Sequence, residues 1–180
     1  MMISPRPSRD LTGPRHRLQA MADYTFRPLS RADRTMFCDW LAQPHIAGWW
    51  EDGVTEWALI DRDWDLPCLA MRIVETGGTP FAFVQDYPAH HWPMPQYDDL
   101  PATARALDTF LGDPAYLGLG HASGYLRARA QHLRGSCPVV AVDPDPANTR
   151  AIAAYRRAGF TAHRKTPSED GDPVQVMLYH

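Results

Sequence analysis

Two stretches in the last third of the chain decide its reading. They are Leu117-Gly118-Leu119-Gly120-His121-Ala122 and Asp143-Pro144-Asp145-Pro146-Ala147-Asn148-Thr149-Arg150-Ala151-Ile152-Ala153-Ala154-Tyr155-Arg156-Arg157-Ala158-Gly159-Phe160. The first is a glycine turn that opens a helix-like run from Ser123 to Leu133. A helix starting in such a turn presents free backbone N–H groups and the positive end of its dipole. That is a ready seat for a pyrophosphate. Glycine at 118 and 120 and alanine at 122 let a ligand come close to the backbone. A dinucleotide-binding turn would need a third small residue at its own spacing and an early βαβ unit. A P-loop would need Gly-Lys followed by Ser or Thr, and neither is present. In the second stretch Asn148 opens a helix that Gly159 ends. Tyr155 lies seven residues after Asn148. Seven residues make about two turns, so both side chains project from one face.

Outward from these stretches the chain reads as strands interleaved with helices. Tyr24 to Leu29 alternates polar and apolar and predicts a first strand. Ser30 caps a helix carrying Phe37, Trp40 and Leu41, which Pro44 breaks. Trp49 to Gly53 is a loop, and Val54 to about Ile60 a helix anchored by Trp57. Pro67 to Val74 and Thr79 to Tyr87 form a hairpin around Gly77-Gly78. Pro88 to Pro101, rich in proline, is a long irregular loop of the kind that carries function. Ala104 to Leu111 is the next strand, and Pro138 to Val142 suits a buried parallel one. Ala147 to Ala158 is helical, and Phe160 to Lys165 pairs with Val174 to Tyr179 around Glu169-Asp170-Gly171-Asp172. The expected architecture is α/β (α+β): a mixed central sheet with helices on both faces, in one domain over residues 23–180.

Composition narrows the function classes. The chain has 180 residues, 44% hydrophobic and 22% charged, enough for a well-buried core. A net charge of -3 gives no basic footprint for nucleic acid. No apolar run is long enough to span a membrane. Cys38, Cys68 and Cys137 lie far apart with no metal-ligand spacing, which predicts no metal site and fits a reducing cytoplasm. His90 and His91 read as surface residues of the long loop. Residues 1–22 hold Arg6, Arg9, Arg15 and Arg17 and no apolar core, so they read as a flexible tail rather than a secretory signal. Met21 is an alternative natural start, just before folded-looking sequence.

The two stretches together, in this order and about 25 residues apart, resemble the acetyl-CoA signature of the GNAT N-acetyltransferases. The family's Arg/Gln-x-x-Gly-x-Gly/Ala is met as Leu117-x-x-Gly120-x-Ala122, with leucine in place of the basic or amide side chain. Ala47-Gly48-Trp49-Trp50, Phe81 to Tyr87, Ala106-Leu107-Asp108-Thr109-Phe110-Leu111-Gly112 and the Asp-Pro-Asp-Pro-Ala-Asn run narrow the likeness. They are similar to the aminoglycoside 6'-N-acetyltransferase branch. The resemblance covers roughly residues 24 to 179. It implies a GNAT fold, acetyl-CoA as co-substrate and direct acetyl transfer to a small-molecule amine, with no metal. It implies acetyl-CoA contacts at Phe110, Leu111, Leu117, Gly118, Leu119, Gly120, His121, Ala122, Asn148, Ala151 and Tyr155. It implies Asp108 beside the amine and Tyr155 as the acid for the departing thiolate. Trp49, Gln85, Asp86, Asp108, Asp143 and Asp172 are the expected acceptor residues.

Acid placement gives an independent clue. Glu51, Asp52, Asp86, Asp98, Asp99, Asp108, Asp143, Asp170 and Asp172 fall in predicted loops or near strand ends. If several converge on one cleft, it attracts a polycation such as an aminoglycoside. Solvated loops are also acid-rich for no such reason. Three rival readings remain at this point. One is a siderophore-biosynthesis acetyltransferase acting on a hydroxylysine-type amine. Another is a protein N-terminal acetyltransferase. The third is a non-catalytic acyl-CoA-binding module, which would need neither Asp108 nor Tyr155. The sequence is compatible with a monomer or a homodimer.

Overall fold

The computed structural model describes residues 23–180. The expected N-terminal tail and the alternative start at Met21 lie outside the described residues. Seven strands form one sheet in the order β1-β2-β3-β4-β5-β7-β6. β1 is Tyr24–Pro28, β2 Ala70–Thr76, β3 Thr79–Pro88, β4 Arg105–Leu111, β5 Val140–Val142, β6 Thr161–Pro167 and β7 Pro173–Tyr179. Only β4 and β5 run parallel. Among the described residues four α-helices complete the fold: α1 (Arg34–Leu41), α2 (Gly53–Asp63), α3 (His121–Arg134) and α4 (Thr149–Ala158).

Strand alternation assigns the two faces. Val74, Val84 and Leu107 pack with Tyr125, Leu126 and Ile152 of α3 and α4. Their neighbours Ile73 and Phe83, with Phe110, pack with Phe37, Trp40, Trp57 and Ile60 of α1 and α2. Helices therefore cover both faces, as the sequence predicts. On the α1–α2 face a third cluster joins Tyr87, Ala106 and Ala141 to Ala89, Tyr97 and Leu100. The segment between β3 and β4 is thus a strap laid across the sheet. It is not the wholly irregular loop expected, because Pro95–Tyr97 form a 3-10 turn.

Several boundaries differ from the sequence reading. A 3-10 turn at Arg31–Asp33 precedes α1. Asp33 is drawn there by Arg27, with two hydrogen bonds of 2.7 Å, and it also accepts from the Ser30 N–H at 2.8 Å. α2 runs on to Asp63, and β2 starts only at Ala70. The hairpin between β2 and β3 turns through Gly77 and Gly78, both at positive φ. A two-residue turn with that geometry matches the twist of its strands.

Candidate active site

Two features make β4 the centre of the molecule. On its β3 side the ladder is long and pairs Gln85 with Asp108 and Phe83 with Phe110. On its β5 side pairing covers only Arg105 with Val140 and Ala106 with Ala141, and beyond them the strands part. The Gly112 N–H donates to the Phe81 carbonyl at 2.8 Å, which fixes the phase of the ladder. By the alternation of antiparallel pairs, Asp108 and Phe110 also point their N–H groups at β3. Thr109 and Leu111 point theirs into the gap where the strands part.

A cavity of about 610 Å³ fills that gap. Thr109, Phe110 and Leu111 form one wall, the 117–120 turn with Ala122 and Ser123 another, and Asn148, Arg150, Ala151, Ala154, Tyr155 and Arg157 of the α4 segment a third. Gly118 and Gly120 have φ of +73° and +86°, a region that L side chains rarely adopt. The first backbone bond closing α3 runs from Gly124 N–H to the Gly120 carbonyl. The N–H groups of His121, Ala122 and Ser123 find no acceptor among the described residues. Three free donors at a helix start suit a phosphate group, whatever side chain stands at Leu117. The cavity carries two guanidinium groups and no carboxylate.

All the residues expected against acetyl-CoA line this cavity except His121. Its ring turns back into the protein, with Nδ1 at 3.1 Å from the Tyr24 hydroxyl and angled contacts with the rings of Phe81 and Tyr116. Only its backbone belongs to the turn. Asn148 caps α4 by accepting from the Ala151 N–H at 3.0 Å. Tyr155 lies on the same face of α4. Its hydroxyl has no hydrogen-bond partner among the described residues, and burial holds its pKa well above the ordinary tyrosine value. It therefore stays protonated across the physiological range.

A second cavity, of about 390 Å³, opens on the α1–α2 face. It is the stretch of that face left bare between α2 and the strap. Gln85 and Asp108 form its floor, flanked by Tyr87. Glu56, Leu59 and Asp63 of α2 form one side, and Trp92, Pro93, Met94 and Glu169 the other. Glu56 and Asp63 are seven residues apart and so share a helix face. Arg62 is the one cation in the lining, and Asp63 binds it through two hydrogen bonds of 2.6 and 2.8 Å.

Asp108 accepts from Gln85 Nε2 at 2.9 Å and from the Tyr87 hydroxyl at 3.4 Å. Burial pushes its pKa up to about 7, and the Asp143 carboxylate adds to the rise against those two hydrogen bonds. An acid with that value is poised to take a proton near neutrality. Asp143 itself is pushed up, first by burial, while Gln96 holds it down.

Four expected acceptor residues need a correction or a different placement. Asp86 is 1% exposed and locked between two arginines, Arg105 at 2.7 Å and Arg129 of α3. It cannot face the cavity, because adjacent strand residues point to opposite faces and Gln85 already points there. Asp172 lines neither cavity. Its carbonyl closes the 168–172 turn by accepting from the Ser168 N–H at 2.8 Å, and Glu169 is the acid that turn supplies. Trp49 lines the larger cavity rather than the smaller, 43% exposed. Asp143 stands behind the smaller cavity, reached through Gln96.

Glu56, Asp63, Tyr87, Trp92 and Glu169 escaped the sequence reading. Tyr87 was recoverable as the next residue on Gln85's face, and Glu56 with Asp63 from helical spacing. Among the described residues no group of three or more His, Cys, Asp or Glu could hold a metal. No helix among them is long and apolar enough to cross a membrane.

Comparison with known proteins identifies the fold. The chain is 28% identical over 166 residues to the aminoglycoside N(6')-acetyltransferase type 1 of Klebsiella pneumoniae, covering 85% of this chain and 81% of that protein. A crystal structure of the aminoglycoside acetyltransferase AAC(6')-Ib with coenzyme A matches with a TM-score of 0.74 at 27% identity, over 87% of this chain and 94% of that one. The same enzyme with coenzyme A and kanamycin matches with a TM-score of 0.72 at 25% identity, over the same shares. The family description "Acetyltransferase (GNAT) domain" fits residues 30–167. With its parted β4 and β5 and its free-donor turn, the chain belongs to the GNAT acetyltransferases.

Proposed function

We propose that this protein transfers the acetyl group of acetyl-CoA to the 6'-amine of an aminoglycoside. One observation carries the reading: the two cavities meet on consecutive residues of one strand. Asp108 lines the smaller cavity, and Thr109, Phe110 and Leu111 line the larger. An amine held at Asp108 and a thioester held along the gap therefore meet across β4.

Acetyl-CoA supplies an activated acyl carbon. Asp108 accepts a proton from the incoming ammonium, leaving the free amine to attack. The Thr109 N–H, unpaired in the gap, is placed to stabilise a developing oxyanion. The Tyr155 hydroxyl donates its proton to the leaving thiolate, and the proton shed by the newly acylated nitrogen restores it. Much of the rate comes from holding the two reactants together. The acids around Asp108 favour a polycation over the single charged amine of a hydroxylysine-type acceptor.

The test is thiol release from acetyl-CoA over a panel of kanamycin, tobramycin, N6-hydroxylysine, polyamines and a short peptide. Release with kanamycin and tobramycin, and none with analogues lacking the 6'-amine, is the expected result. Release with hydroxylysine alone moves the protein to siderophore biosynthesis. Binding of acetyl-CoA with no turnover of any amine makes it a binding module.

A further inference from the structure

Gln96 has no part in the chemistry above, yet no part of it is exposed. It sits in the 3-10 turn of the strap. Its single amide nitrogen donates to Asp143 Oδ2 at 3.1 Å and to Glu169 Oε2 at 2.6 Å. Those two hydrogens are all the nitrogen has, so both are committed. The carboxylates come from different elements, Asp143 from the end of β5 and Glu169 from the β6–β7 turn. The amide oxygen is buried with no partner among the described residues. Exchanging nitrogen and oxygen would set that oxygen against two carboxylates, so the orientation follows from charge. The main chain is fixed as well, since the Gln96 carbonyl accepts from Arg164 Nη2 at 3.0 Å.

An apolar side chain would fill this space without burying an orphan oxygen. The amide is worth that cost only through what its nitrogen holds. Two carboxylates this near to one atom repel each other, and the two donors offset the repulsion. Glu169 is otherwise an exposed side chain on a turn, free to swing into water.

We propose that Gln96 is a positioning residue for the acceptor: its buried amide holds Glu169 in the smaller cavity beside Asp143, so that a polyamine meets a fixed set of carboxylates. The proposal rests on the aminoglycoside reading above. It deepens that reading by naming the residue that arranges the charges. Gln96 touches neither reactant and acts through Glu169.

The experiment compares wild type, Gln96→Met, Glu169→Ala and the double variant, with kanamycin and acetyl-CoA each varied. Gln96→Met keeps the shape and removes both donors. It should raise the kanamycin KM about tenfold or more, with kcat within threefold and the acetyl-CoA KM within twofold. Calorimetric affinity for kanamycin, measured on the CoA-loaded protein, should fall by the same factor. The double variant should have a kanamycin KM within threefold of Glu169→Ala alone, since Gln96 then has no Glu169 to hold. An unchanged KM in Gln96→Met overturns the proposal. So do fully multiplicative effects in the double variant, or a joint fall of kcat and acetyl-CoA affinity. If Gln96→Met does not fold, Gln96→Asn keeps an amide that is one methylene too short to reach Glu169, and the same KM rise is expected. A wild type that turns over hydroxylysine but no polyamine defeats the aminoglycoside reading and this inference with it. An active wild type with an indifferent Gln96 defeats the inference alone.

Discussion

The larger cavity carries Arg150 and Arg157 and no carboxylate, whereas the smaller carries Glu56, Asp63, Asp108 and Glu169 against Arg62 alone. The two are also built differently. The larger joins backbone features, a glycine turn with free N–H groups and a parted strand edge, to a wall of α4 side chains. The smaller is made of side chains projecting from a strand, a helix, a strap and a turn. Opposite charge on the two sides of β4 is what the proposed reading needs, to sort an anionic acyl donor from a cationic acceptor. The difference in construction predicts that the smaller cavity is easily retuned by substitution, while the larger changes most when the chain path at its glycine turn does.

Substitutions can break that division. The largest effect is expected from Asp108→Asn, which should lower kcat by about a hundredfold or more while leaving acetyl-CoA affinity within twofold. Loss of acetyl-CoA binding in the same variant would erase the boundary between the cavities. Next, Gly120→Val forces a branched side chain onto a residue at φ +86° and should raise the acetyl-CoA KM about tenfold, with kanamycin KM unchanged. Tyr155→Phe should lower kcat about tenfold with no loss of thermal stability, because the hydroxyl bonds to no described residue. Calorimetry and steady-state kinetics on the three variants separate these expectations.

The pH profile sharpens the comparison further. With Asp108 at about 7, kcat/KM should rise with pH through that value as the base form appears. Asp143→Asn removes the second cause of the rise and should move this limb to lower pH. The same group makes a stability statement. Its folded pKa lies above the unfolded value, so its contribution is full below pH 3.8 and is lost as pH rises through about 7. Asp108→Asn should therefore raise the melting temperature at pH 8 relative to wild type, and much less at pH 4. The smallest effect is expected from Arg157→Glu. It should weaken CoA binding a fewfold, by about 1 kcal/mol, with a salt dependence that marks a solvent-exposed charge.

The larger cavity was legible in the sequence and much of the smaller was not, for a physical reason. A glycine turn before a helix dictates its own backbone, so the 117–122 segment announces its geometry locally. Asp108 was readable because an acid in an apolar strand needs a cleft. Glu169 was not, because Glu169, Asp170 and Asp172 share one turn and only tertiary packing selects among them. Gln96 was hidden in a proline-rich segment whose path over the sheet no local pattern specifies. The assignment of Asp86 failed against a rule already at hand: two neighbours in a strand cannot both face one cleft.

The misplaced Asp86 has a mechanical consequence. It ties β3 to α3 through the buried Arg129 and to β4 through the half-buried Arg105. Its sequence neighbours Gln85 and Tyr87 line the smaller cavity, while α3 begins at the wall of the larger. One buried carboxylate therefore works as a cross-brace between the two cavities. Neither can tilt without straining the brace, and removing one partner of such a buried pair costs about 3–5 kcal/mol.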